Sequence, residues 1–85
     1  MLKAPPRSSA MTLSSLAMLP AGTRVRIVRL ACAHADANRL RVLGLFEGAQ
    51  VRIVDRGSGL LLEVCGGRLA VGHTLAEDIM VSILT

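Results

Sequence analysis

The chemistry nearest to hand in this sequence is metal binding, through Cys32, His34, Asp36, Cys65, His73, Glu77 and Asp78. The densest group is Cys32-x-His34-x-Asp36, which combines a thiol, an imidazole and a carboxylate within five residues. Such donors suit a borderline-soft ion such as zinc. Structural zinc sites, however, pair two motifs of C-x-x-C or H-x-x-x-H spacing, and only one half is present here. The expectation is therefore no dedicated site within one chain and no required cofactor. His34 and His73 read as exposed loop residues, and the cysteines as small hydrophobes near strand ends. What stays open is a weak ion held between two molecules, which would bridge a homodimer.

Catalytic arrangements are harder to find. There is no G-x-x-x-x-G-K-[ST] phosphate loop. Gly57-Ser58-Gly59 is too short to be a nucleophile elbow and reads as a turn. Glu77 and Asp78 are adjacent, so on a helical turn they project to different sides and cannot act as a carboxylate pair. The expectation is a protein that is not an enzyme.

The elements that must position these groups follow from composition and period. Eighty-five residues allow one domain with a thin core and little room for an enclosed site. Hydrophobic residues make up 52% of the chain, but Phe46 is the one aromatic, so the core is aliphatic. The net charge is +4 with Lys3 and Arg7 in the first ten residues; from Thr12 onward eight arginines stand against six acids, which leaves +2. Two cysteines do not make a disulfide framework, and reduced thiols point to the cytoplasm. Pro5, Pro6, Arg7, Ser8 and Ser9 interrupt any signal-peptide core, and no stretch approaches the roughly 20 apolar residues of a membrane span, so no direct membrane insertion is expected.

Residues 1–11 read as a disordered tail, with Met11 an alternative start, and residues 12–85 as the domain. Thr12 to Leu19 has Leu13, Leu16 and Met18 or Leu19 at helical spacing, closed by Pro20 and Gly22, and predicts a helical turn over the core. An internal repeat follows: Leu19 to Val28 and Leu45 to Val54 share the string L-x-x-G-x-x-V-R-I-V. Each copy reads as an apolar anchor, a glycine turn and a strand with Val and Ile inward and Arg outward. Two copies make no solenoid, and they are taken as two strands entering one small barrel by equivalent turns.

Between the copies, Asp36 fits an N-cap, and Ala37, Leu40 and Leu43 mark one apolar helix face. Gly44 fits the left-handed stop of that helix, with Leu45 packing back on Leu40 in a Schellman motif. Arg56-Gly57-Ser58-Gly59 and Gly66-Gly67 predict hairpin turns that separate strands at Leu60 to Val64 and Arg68 to Gly72. Thr74 and Glu77 fit a capping box for a single turn, and Ile79 to Leu84 makes the last strand. The sum is an all-β fold with short helices: a small barrel of five strands with one α-helix between strands 1 and 2, closed so that no edge is left exposed.

The combination of R-L-x-x-L-G-L-x-x-G from Arg39 to Gly48, the Val51-x-Ile53 strand, the glycine hairpins and a terminal G-x-x-x-A-x-x-I-x-V (Gly72, Ala76, Ile79, Val81) resembles the FeoA family of ferrous-iron transport accessory proteins. The resemblance covers about Thr12 to Thr85. It departs at one place: the family commonly has proline before the second glycine of its L-G-x-x-P-G turn, and Glu47 stands here.

What the resemblance implies is an SH3-like barrel that works as a non-catalytic regulatory adaptor of FeoB, the membrane permease for Fe(II) that carries a cytoplasmic GTP-binding domain. It would place the protein in the cytoplasm, associated with the inner face of the membrane through that partner. The residues beside the helix-to-strand junction then become candidates for docking: Arg39, Leu40, Arg41, Leu43, Leu45 and Phe46. The plainer reading is that Leu40, Leu43 and Leu45 are core and that Arg39 and Arg41 are solvated helix charges. For an iron-system protein, weak zinc or iron binding at Cys32, His34, Asp36 and His73 stays open on the same terms as above. Two other functions share the pattern. One is the SH3-like regulatory domain at the end of iron-dependent repressors, which normally follows a DNA-binding region that the short tail here cannot supply. The other is a small basic nucleic-acid-binding barrel, which is not expected because base-stacking platforms need aromatic side chains.

Overall fold

The computed structural model describes residues 13–84; the disordered tail expected over residues 1–11 lies outside them, as does Thr12. The chain forms β1 (Ser14–Ser15), a 3-10 turn (Leu16–Met18), β2 (Arg24–Leu30), α1 (His34–Val42), β3 (Gln50–Arg56), β4 (Gly59–Val64), β5 (Gly67–Gly72), α2 (His73–Glu77) and β6 (Ile79–Leu84). All strand pairs are antiparallel, in one curled sheet of order β1-β6-β2-β3-β4-β5.

The repeat is the organising feature. Its two strands, β2 and β3, lie side by side with Val25 opposite Val51, Arg24 opposite Arg52 and Arg26 opposite Gln50. The turns before them clasp each other's strands reciprocally. Gly22 N–H donates to Ile53 C=O (2.6 Å) and Gly48 N–H to Ile27 C=O (2.7 Å), while Ile53 N–H donates to Thr23 C=O (2.9 Å) and Ile27 N–H to Ala49 C=O (2.8 Å). Each of these four bonds therefore has its counterpart in the other copy, and the copies are related by a local pseudo-two-fold axis between Val25 and Val51. Both turns require a left-handed residue, Gly22 at φ +94° and Gly48 at φ +93°, where any side chain would be strained. The anchors Leu19 and Leu45 and the inward Val25, Ile27, Val51 and Ile53 are all buried, and among the described residues no polar or charged side chain is.

Among the described residues the strand count is six where five were expected. The extra strand, β1, has two residues and pairs Ser14 with Val81 and Ser15 with Met80. It takes the place of the first part of the helical turn expected from Thr12 to Leu19, of which only the 3-10 turn at Leu16–Met18 forms. The reason is long-range: Ser15 Oγ donates to the carbonyls of Glu77 (2.9 Å) and Ala76 (3.4 Å) at the end of α2. The sheet is not closed strand to strand either. Its ends are β1 and β5, and α2 fills the gap between β5 and β6, packing also on β4 and the 3-10 turn.

Two helix starts differ from their expected caps. α1 begins at His34, with Ala33 in the N-cap position and no side-chain cap bond. Asp36 falls instead in the first turn, where its charge suits the positive end of the helix. α2 begins at His73 after Gly72, so Thr74 is already inside the helix and the capping box does not form. In its place His73 Nδ1 lies 3.5 Å from Glu77 Oε2 one turn along.

Candidate functional site

The junction between α1 and β3 is where the fold leaves apolar surface unpaired. α1 ends as its sequence dictates: Leu45 N–H donates to Leu40 C=O (2.8 Å) and Gly44 N–H to Arg41 C=O (3.2 Å), the two bonds of a Schellman motif. Gly44 makes this possible at φ +109°. The reversal sends Leu45 into the core at 0% exposure, where Leu40 (4%) and Ala37 are also buried. The next residues on either side go the other way. Val42 is 86% exposed, and Leu43 and Phe46 are each 47% exposed. Three large apolar side chains thus stand in water within five positions, whereas α1 itself touches the core through two buried residues.

The six residues singled out for docking therefore divide. Leu40 and Leu45 are structural, while Leu43 and Phe46 are presented. Leu43 leaves the apolar helix face it was placed on, because the helix stops at Val42 and Leu43 is already its C-cap. Val42 was not anticipated. The signal was present as an apolar run on both sides of Gly44 that is too long for one helix face to bury.

The two arginines also divide. Arg39 is exposed on α1. Arg41 is engaged: Nε donates to Glu47 Oε1 (3.1 Å), Nη2 to Glu47 Oε2 (2.9 Å) and Nη1 to Asn38 Oδ1 (2.9 Å). This forked ion pair fastens the turn after α1 back onto the helix at the residue where the resemblance led one to expect proline, so a side-chain clamp does the stiffening that a ring would do.

The Arg41 guanidinium holds the Glu47 carboxyl down at about 2, from an ordinary value of 4.5, helped by a backbone N–H and opposed by partial loss of water; Arg41 is raised in turn, chiefly by the same hydrogen bonds. A carboxyl whose pKa is lower folded than unfolded adds stability above its unfolded pKa and loses it as pH falls through the folded one. The stability difference between the native protein and Glu47→Gln should thus be present at pH 7, shrink below pH 4.5 and vanish near pH 2. Urea denaturation of both across that range reads it, and a gap that persists at pH 2 would show that the clamp does not act through the ionised carboxylate. The effect is small in any case, since both side chains are well solvated.

The metal-type residues are spread out. Cys32 and Asp36 are half-buried, His34 is exposed with Nε2 3.2 Å from Asn38 Nδ2, Cys65 is an exposed free thiol, and His73 faces Glu77. Among the described residues no group of three or more His, Cys, Asp and Glu side chains comes together to hold an ion. Nor, among them, is any helix long and apolar enough to cross a membrane.

The sequence matches the family model described as the FeoA domain over residues 14–83. Among solved structures, the FeoA protein of Chlorobium tepidum is 31% identical with a TM-score of 0.80, over 85% of this chain and 71% of that one. A Stenotrophomonas maltophilia FeoA complexed with zinc, described as an SH3 domain protein proposed as a bacterial ferrous iron transport activating factor, is 32% identical with a TM-score of 0.67, over 81% of this chain and 89% of that one. IdeR of T. acidophilum shares the fold alone, at 22% identity and a TM-score of 0.78, over 85% of this chain and 34% of that one. No curated protein is significantly similar to the sequence. The fold is SH3-like, a small curled sheet with its gap plugged by a helical turn.

Proposed function

This chain belongs to the FeoA family, and from that membership we propose that it is a non-catalytic cytoplasmic accessory of ferrous-iron uptake that docks on the GTP-binding cytoplasmic part of a FeoB-type permease. The family places it in ferrous-iron transport as an accessory. The observation that carries the docking is the exposed apolar group Val42, Leu43 and Phe46, held at a fixed angle by the Gly44 reversal and the Arg41–Glu47 clamp. Ordering this surface in advance lowers what a partner must supply to bind it. Arg39 on the exposed side of α1 supplies a charged rim. GTP chemistry, on this reading, belongs wholly to the partner.

Isothermal titration of this protein into the permease's isolated cytoplasmic domain, with and without a non-hydrolysable GTP analogue, tests the reading. Saturable binding in at least one nucleotide state is expected; none in either state removes the proposal.

A further inference from the structure

The outer face of the sheet carries a second surface, unrelated to the iron reading, in the row Arg24–Arg52–Glu63–Arg68. These four residues lie on consecutive strands β2, β3, β4 and β5, each directly opposite the next. They line one side of an open recess of about 640 Å³ whose other walls include Gln50, Val64, Leu84 and the Cys65–Gly67 hairpin. Three arginines against one glutamate leave the row at +2. Glu63 Oε1 accepts from Arg52 Nε at 3.2 Å, and among the described residues neither Arg24 nor Arg68 makes an ion pair.

This arrangement works against the fold. Like charges directly opposite on neighbouring strands are destabilising, and Arg24 faces Arg52. The repeat does not explain it. Arg26 and Arg52 are counterparts in the shared string, but the counterpart of Arg24 is Gln50, so the second arginine of the opposed pair is an addition to the pattern. All eight basic residues after Thr12 are arginine and none is lysine, and the guanidinium fork is the side chain that matches carboxylates in two-point contact.

We propose that this recess binds an acidic, extended segment of a partner protein, its carboxylates taken by Arg24 and Arg68 on either side of the Arg52–Glu63 pair. A flat membrane of anionic lipids fits a concave row poorly. A nucleic acid is disfavoured because the recess has no aromatic side chain to stack a base, Phe46 being elsewhere, and because a row of three arginines is well short of the roughly six to ten phosphate contacts of a duplex-binding surface. A strand presents side chains to one face about every 7 Å, which lets alternate residues reach arginines spread over four strands spaced about 4.8 Å apart. The inference rests on the sheet and its register, not on the identity of the permease, so the two stand or fall separately.

The test uses a fluorescein-labelled dodecapeptide of alternating glutamate and small apolar residues, with its lysine counterpart and a single-stranded oligonucleotide of equal charge as comparisons, followed by anisotropy. Salt-sensitive binding of the acidic peptide is expected. Arg24→Gln and Arg68→Gln should each weaken it roughly threefold to tenfold, and the double variant should reduce it below detection, while Arg29→Gln, outside the recess, changes it less than about twofold. Arg24→Gln should melt at the same temperature or higher, since it removes a like-charge neighbour. Unchanged affinity in the double variant, equal weakening by Arg29→Gln, or tighter binding of the oligonucleotide would each overturn the proposal.

Discussion

Leu45→Ala is expected to lower the unfolding free energy by about 3 kcal/mol, within the 2–5 kcal/mol typical of fully buried leucines. In a domain of this size that corresponds to a fall in Tm of roughly 12–24 °C. Leu45 is wholly buried in the core cluster that also holds Leu40, Ile53 and Leu62. It is also the anchor of the second repeat copy and the residue that receives the chain from the Gly44 reversal, so its loss leaves a cavity where α1 is attached to the sheet. Since small domains are stable by about 5–15 kcal/mol, the fall is a large fraction of the total. Leu43→Ala is the internal control. Half exposed, Leu43 should cost under about 1 kcal/mol. Urea denaturation of both variants with unchanged m-values reads the contrast, and near-equal losses would mean that the junction is not divided into a buried and a presented side.

Much of this architecture is local and so was legible in the chain. The glycines at 22, 44, 48 and 66 lie at positive φ where the pattern asked for turns or a helix stop, and the inward Val and Ile of the repeat copies are buried. What was not legible depends on residues far apart in sequence. Nothing in Ser14-Ser15 announces a strand; it exists because β6 offers an edge and because the end of α2 offers carbonyls more than 60 residues away. Asp36 and Thr74 have cap chemistry, but the chain enters the two helices three and two residues earlier than those side chains would set it, and first-turn charge and packing decide the start.

The sites divide along the same line. That Arg24, Arg52, Glu63 and Arg68 point outward follows from alternation. That they stand opposite one another follows from register, which includes a shift between Ile53 and Asp55 that no periodicity discloses. Likewise, the importance of the Arg39 to Phe46 stretch was visible as a motif, whereas which of its leucines are buried was settled by the helix ending one residue before Leu43.

That division sets up the second large effect. Val42→Ala combined with Phe46→Ala should weaken binding to the permease's cytoplasmic domain by at least about 2 kcal/mol, close to 30-fold, as expected when an aromatic anchor and its apolar neighbour are cut away together. The same variant should lose less than about 1 kcal/mol of stability, because Val42 stands almost wholly in water and Phe46 is about half exposed; Val42→Ala alone should gain a few tenths, alanine being the better helix former on an exposed turn. Opposite demands on the two readouts make the test sharp. Arg39→Glu belongs beside it: charge reversal at the rim should slow association and raise salt sensitivity without approaching the 30-fold loss. Reversal at Arg41 would be ambiguous, since it also breaks the clamp to Glu47 and frees the turn that carries Phe46. A double alanine variant that binds normally while Arg39→Glu abolishes binding would move the docking surface off the apolar group and onto the arginines, and the exposure of Val42 would then need another explanation.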